Sequence, residues 1–149
     1  MSIVALDVGE RRIGVAVSDP SESFALPLRT IQRTRLQADL ATIFEIANEH
    51  AARTIVVGDP LTLGGERGIA AQKIDDFVAT LRRAFDGTIE RVDERMTTAL
   101  VTRQMIDADV SRAKRKRVVD QLAAASILDT YLALRRSRAQ RGVAEPTES

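Results

Sequence analysis

The sequence has no cysteine and no tryptophan, one histidine, His50, and one tyrosine, Tyr131. The missing thiols exclude disulfides, thiolate metal centres and cysteine nucleophiles together. A lone histidine gives little basis for a histidine-ligated zinc site or a histidine acid–base relay. Any metal held by this chain is therefore expected to be a hard cation on carboxylate oxygens. Aromatic residues make up 3% of the chain, which argues against broad stacking platforms for single-stranded bases and leaves the core to Ala, Val, Leu and Ile. No apolar run approaches the roughly 18 residues of a membrane-spanning helix, and the N-terminus lacks the basic, apolar and cleavage regions of a signal peptide. A cytoplasmic location with no membrane partner is the expectation.

What is present suffices for a folded domain: 149 residues, 44% of them hydrophobic. One compact domain is expected over residues 1–138, with a tail over 139–149 that lacks periodicity and is expected to be disordered. The balance of 22 basic against 21 acidic residues rules out a polycation, but the charge is locally uneven. "RAKRKR", residues 112–117, holds five basic residues in six, and "RRSRAQR", residues 135–141, holds four in seven.

"SIVALDV" reads as a buried strand and "RIGVAVSD", with Ile13, Val15 and Val17 in alternation, as a second strand joined to it by a hairpin. "FALPLRTI" supplies a third strand, which Pro27 confines to an edge or a bulge. Leu36, Leu40, Ile43, Phe44 and Ala47 mark an amphipathic helix from Arg35 to Glu49. "TIVVG" is a fourth strand, "DPLTLGGERG" a loop, Ile69 to Phe85 a second helix, and "TIERVDE" a last strand. A short helix capped by Thr97 or Thr98, a basic loop and a closing helix from Val118 to Leu134 complete the chain. Hairpin connections followed by helical crossovers imply an α/β domain with a mixed sheet.

Asp7 ends the first strand, Asp93 and Glu94 end the last, and Asp120 falls in the first turn or so of the closing helix. Each has a purely structural alternative: turn formation for Asp7, helix-dipole stabilisation for Asp120, and capping by Asp93 or Glu94 ahead of Thr97 and Thr98. If they converge, the carboxylates would repel one another unless a divalent cation neutralised them. Mg²⁺ or Mn²⁺ in such a cluster could activate water and hold a phosphodiester. His50 reads as a helix C-terminal or surface residue, and the Ala and Leu stripe from Ala123 to Leu132 as core.

"ALDVGERRIGVAVSD", "IVVGDPLTLGGERG", "DERMTT" and "KRVVDQLAAASILDTYL", in this order and spacing, resemble the YqgF/RuvX family of RNase H-like nucleases. The resemblance extends to about Leu134. It implies a ribonuclease H-like fold, with a five-stranded mixed sheet flanked by helices, and a metal-dependent nuclease. Members are described as Holliday junction resolvases and as nucleases that process the 5′ end of pre-16S rRNA. By motif position the resemblance assigns catalytic and metal-binding roles to Asp7 and Asp120, with Glu94 as the middle ligand and Asp93 as the alternative one residue away in strand phase. Where the family commonly has Gly-Leu-Pro-Leu, this chain has Gly58-Asp59-Pro60-Leu61, so Asp59 is either a further acid of the cluster or a turn cap.

A nucleic-acid substrate brings phosphates to a carboxylate cluster, and cations must offset the repulsion. Arg11 and Arg12 beside Asp7, Arg67 in the glycine-containing loop, Arg95 after Glu94, and Lys114, Arg115, Lys116 and Arg117 ahead of Asp120 are the candidates. A solvated charged face is the alternative for the last four. The three glycines of "LTLGGERG" would give a loop over a substrate strand mobility, but the Gly-Lys-Ser/Thr of a nucleotide phosphate loop is absent.

The expected activity is an endonuclease acting on structured nucleic acid, leaving a 5′ phosphate and a 3′ hydroxyl as in related folds. Pre-16S rRNA processing leads. A resolvase cutting branched DNA as a homodimer and a non-catalytic RNA-binding module are the alternatives. An actin-like ATPase or sugar kinase shares the "DVGERRIGVAV" pattern, but the second half such a protein needs is not evident.

Overall fold

The computed structural model describes residues 2–60, 68–94 and 112–140, excepting the side chains of 112–118. The loop after Pro60 as far as Arg67, the short helix expected after Glu94, and residues 141–149 lie outside the described residues. The elements are β1 (Ile3–Val8), β2 (Arg12–Ser18), β3 (Ala25–Gln32), α1 (Leu36–Glu49), β4 (Thr54–Asp59), α2 (Ile69–Ala84), β5 (Thr88–Asp93) and α3 (Arg112–Gln140). They form one five-stranded sheet in the order β3-β2-β1-β4-β5. The β1–β2 and β2–β3 pairs are antiparallel, and β1–β4 and β4–β5 are parallel. The hairpins run outward from β1 in one direction and the helical crossovers in the other, which gives the mixed α/β sheet expected from the sequence.

Period-two alternation sends the large side chains to one face. Val4 and Leu6 of β1, Ile13, Val15 and Val17 of β2, and Ile55 and Val57 of β4 pack under α1 and α2 through Leu40, Ile43, Ile46, Ile74, Phe77, Val78 and Leu81. The opposite face carries smaller residues, among them Ala5, Ala16 and Val56, beneath Ala124, Ala125, Ile127, Leu128 and Leu132 of α3. Small side chains on both partners let α3 approach the sheet closely.

Pro27 sits on edge strand β3, where the pairing with β2 slips between Val15 and Ala16, so the edge and the bulge coincide. His50 ends α1 as its C-cap, its backbone N–H donating to Ile46 O at 3.1 Å. The closing helix differs from expectation at both ends. It begins at Arg112, so the backbone of 112–117 is helical rather than a loop, and it continues through Gln140, past the expected end at Leu134. Asp120 consequently lies in the third turn of α3, and the helix dipole, which acts over the first turn, does not account for it.

Candidate active site

Asp7 is 8% exposed near the carboxyl end of central strand β1. Its face of the sheet follows from parity: Ile3 and Ala5, four and two residues earlier, pack against α3. Asp7 therefore looks to the α3 side, at the sheet end where the β1–β2 turn closes with Gly9 N–H donating to Arg12 O at 2.9 Å.

The two neighbouring strands place glycines beside Asp7. Gly14 of β2 is its register partner. A Cβ there would stand 2.0 Å from the Asp120 carbonyl oxygen, so the backbone of α3 rests directly on Gly14. On β4, Gly58 follows Val57, the residue after the partner of Ala5, and carries the same parity as Val56. A Cβ on Gly58 would meet Ile127 Cδ1 at 2.6 Å and Glu94 Cγ at 3.1 Å. The absent side chains thus admit Asp120 from one side and Glu94 from the other.

Asp7, Glu94 and Asp120 all line one cleft of about 1150 Å³, together with Arg12, Arg33, Lys73 and Asp76. The neighbouring acids have different positions. Asp59 and Asp93 are register partners across β4 and β5 and carry the parity of Val57, which faces α1 and α2. Asp59 accepts from Arg91 Nη2 at 3.1 Å, and the same nitrogen reaches Asp75 of α2 at 2.8 Å. The strand phase that sequence left open thus puts Glu94 on the Asp7 face and Asp93 on the other.

Among the expected cations, Arg12 donates from Nε to Asp120 Oδ2 at 2.7 Å, tying the start of β2 to α3. Arg11 is exposed in the turn, and its carbonyl accepts from the Arg33 N–H at 2.9 Å. Arg67 and Arg95 lie outside the described residues, and Lys114, Arg115, Lys116 and Arg117 are described only as helical backbone.

Sequence reasoning missed Arg33 and Lys73. Arg33 donates from Nη1 to Gly9 O at 2.8 Å, reaches the buried Asp39 carboxylate at 3.4 Å, and lies over the Phe77 ring at 5.7 Å. It fixes the turn that follows Asp7. Lys73 of α2 crosses the cleft to Glu10 at 2.9 Å, and its hydrogen bond and charge hold the Glu10 carboxyl below its usual pKa. Neither residue stands in a charge run or beside a motif, so no local signal marked them.

The donor chemistry, three carboxylates and no sulfur or imidazole, suits Mg²⁺ or Mn²⁺. Among the described residues, however, no three such side chains are gathered closely enough to hold a cation as they stand. Arg12 engages one oxygen of Asp120.

Residues 1–134 match the family described as "RuvX: Holliday junction resolvase". A protein of Clostridium perfringens (strain 13 / Type A) named "Putative pre-16S rRNA nuclease" is 42% identical over 132 residues, covering 89% of this chain and 96% of that one. A protein of the same name from Thermoanaerobacter pseudethanolicus is 46% identical over 133 residues, with the same coverage of 89% and 96%. Among solved structures, T. thermophilus RuvC in complex with a Holliday junction substrate matches with a TM-score of 0.59 at 13% identity, covering 91% of this chain and 96% of that one. The last likeness is one of fold, that of the RNase H-like resolvases. On the match over residues 1–134 and the identities of 42% and 46%, the chain belongs to the RuvX family.

Proposed function

We propose that this protein is a divalent-metal-dependent endonuclease acting on structured RNA, with the 5′ end of pre-16S rRNA as its substrate. The observation that carries the reading is the arrival of Asp7, Glu94 and Asp120, from three separate elements, in one cleft at the end of the sheet where β1 stops. The names of the relatives at 42% and 46% identity support the RNA substrate.

Asp7, Glu94 and Asp120 would hold Mg²⁺ or Mn²⁺. When bound, the cation supplies an activated water and neutralises charge developing on the phosphodiester. The chain's own groups do the rest. Gly14 and Gly58 admit Asp120 and Glu94 to the cleft that Asp7 lines, and Arg33 holds the turn after Asp7. Arg11, exposed in the same turn, and the basic residues of 112–117 are the candidates to carry the phosphate backbone. Branched DNA is the second reading, favoured by the description of the family as Holliday junction resolvases. That reaction calls for paired cuts by a homodimer.

The test is cleavage of an end-labelled RNA spanning the mature 16S 5′ end, beside a four-way DNA junction, in Mg²⁺, Mn²⁺ and EDTA. The expected result is metal-dependent cutting of the RNA, abolished in Asp7→Asn and Asp120→Asn. Cutting of the junction alone would transfer the assignment to branched DNA. Binding without cleavage, equal in wild type and both variants, would make the protein an RNA-binding module.

A further inference from the structure

We infer that Arg12 is a built-in counter-ion of Asp120 that competes with a divalent cation for its carboxylate. The inference rests on the metal-dependent reading of the cleft. Arg12 and Asp120 are separated by 108 positions in sequence, yet Nε and Oδ2 meet at 2.7 Å, with the side chains only 23% and 15% exposed. A charge-assisted contact of this length in a partly enclosed cleft is a strong one, and breaking it without replacement would leave a poorly solvated charge.

The geometry gives the pair a function beyond stapling. The α3 backbone at Asp120 rests on Gly14, the register partner of Asp7, so the pair stands in the cleft that Asp7 and Glu94 also line. The guanidinium there is a positive charge among acids. A divalent cation brings two charges to the same carboxylates and competes with Arg12 for Asp120. Once displaced, the forked guanidinium is positioned at the cleft for a non-bridging phosphate oxygen, which it can bind through two parallel N–H groups. Cation and nucleic acid are then coupled through Arg12, and by linkage each strengthens the other's binding.

The experiment is calorimetric titration of Mn²⁺ into the wild type, Arg12→Gln and Arg12→Lys, without nucleic acid, with thermal melts at each Mn²⁺ concentration. Loss of the competing charge should tighten Mn²⁺ binding in Arg12→Gln by about tenfold, the scale of one charge-assisted contact. The same variant should melt lower than the wild type without metal and recover more on adding it. Arg12→Lys keeps the charge but loses the planar fork, and should fall between the two. If Arg12→Gln does not fold, Arg12→Lys decides: tighter binding than the wild type supports the inference, and equal or weaker binding overturns it. Wild-type binding with no gain in Arg12→Gln would make Arg12 a staple alone and leave the nuclease reading standing. Absence of Mn²⁺ binding in every protein would overturn both.

Discussion

An added methyl group at Gly58 would stand 2.6 Å from Ile127 Cδ1 and 3.1 Å from Glu94 Cγ, both of them side-chain atoms that can move. Gly58→Ala should therefore cost only about 1–2 kcal/mol of stability. It should lower cleavage about tenfold or more, because Glu94 is displaced from its place in the cleft it shares with Asp7. Urea midpoints and single-turnover rates on the same preparation would separate the two effects. Asp19 gives a residue-scale prediction away from the cleft. Its carboxylate accepts from the Ser21 hydroxyl and from the backbone N–H groups of Phe24, Ser23 and Ser21, which lowers its pKa from the usual 3.8 to about 2. The charged form is the one favoured in the fold, so its stabilisation is present above pH 4 or so and is lost as the pH falls toward 2. Asp19→Asn should be less stable than the wild type at neutral pH, and the gap should close at pH 2 in urea titrations. Asp7 and Glu94 stood out in sequence because each stands where an apolar run ends, and Asp120 through the motif "KRVVDQL". The two glycines were not, since their importance depends on what crosses above them, and that is decided by chain segments far away.

The elements show the same division between local and distant causes. Alternation of Ile13, Val15 and Val17 against Gly14 and Ala16 specified both the strand and its two faces. The phase of β5 was ambiguous because "RVDE" places acids at successive positions, and successive positions point to opposite faces. Pairing with β4 resolved it. The start of α3 was misread because a run of five basic residues in six repels itself and resembles a solvated loop, although Lys and Arg are good helix formers. Packing of α3 on Gly14 supplies an element-scale test. Gly14→Ala would drive a methyl group into backbone at 2.0 Å, where neither partner has a flexible end to yield. It should destabilise the protein by about 3 kcal/mol in urea unfolding, more than Gly58→Ala, and should lift Asp120 away from Arg12.

Across the whole molecule, the cleft and a second set of contacts that hold α3 occupy opposite ends of the sheet. The cleft opens where β1 ends and β2 begins. The far end of β2 leads into the Asp19–Phe24 turn, about 20 Å away at the usual strand rise. There α3 is tied down: Arg135 reaches Glu22 at 2.7 Å, Arg136 donates to Ser23 O at 2.9 Å, and Asp129 accepts from Ala25 N–H at 3.2 Å. The second basic stretch is thus engaged at its start in holding the helix to the sheet. Arg135→Ala should cost under about 1 kcal/mol, as partly exposed ion pairs do. It should leave the salt dependence of nucleic-acid binding unchanged, as read from affinities across a range of salt concentrations. The mixed sheet was readable from the hairpin and helical connections, whereas this fastening depends on contacts across more than 100 positions. The central claim is that Asp7, Glu94 and Asp120 act together on one face while Asp59, equally acidic and at the same sheet end, belongs to an ion pair on the other. The most direct measurement is the single-turnover cleavage rate in saturating Mg²⁺ of Glu94→Gln beside Asp59→Asn. The account predicts a loss of at least about a hundredfold for Glu94→Gln and a rate within a few-fold of wild type for Asp59→Asn. The reverse order would contradict it.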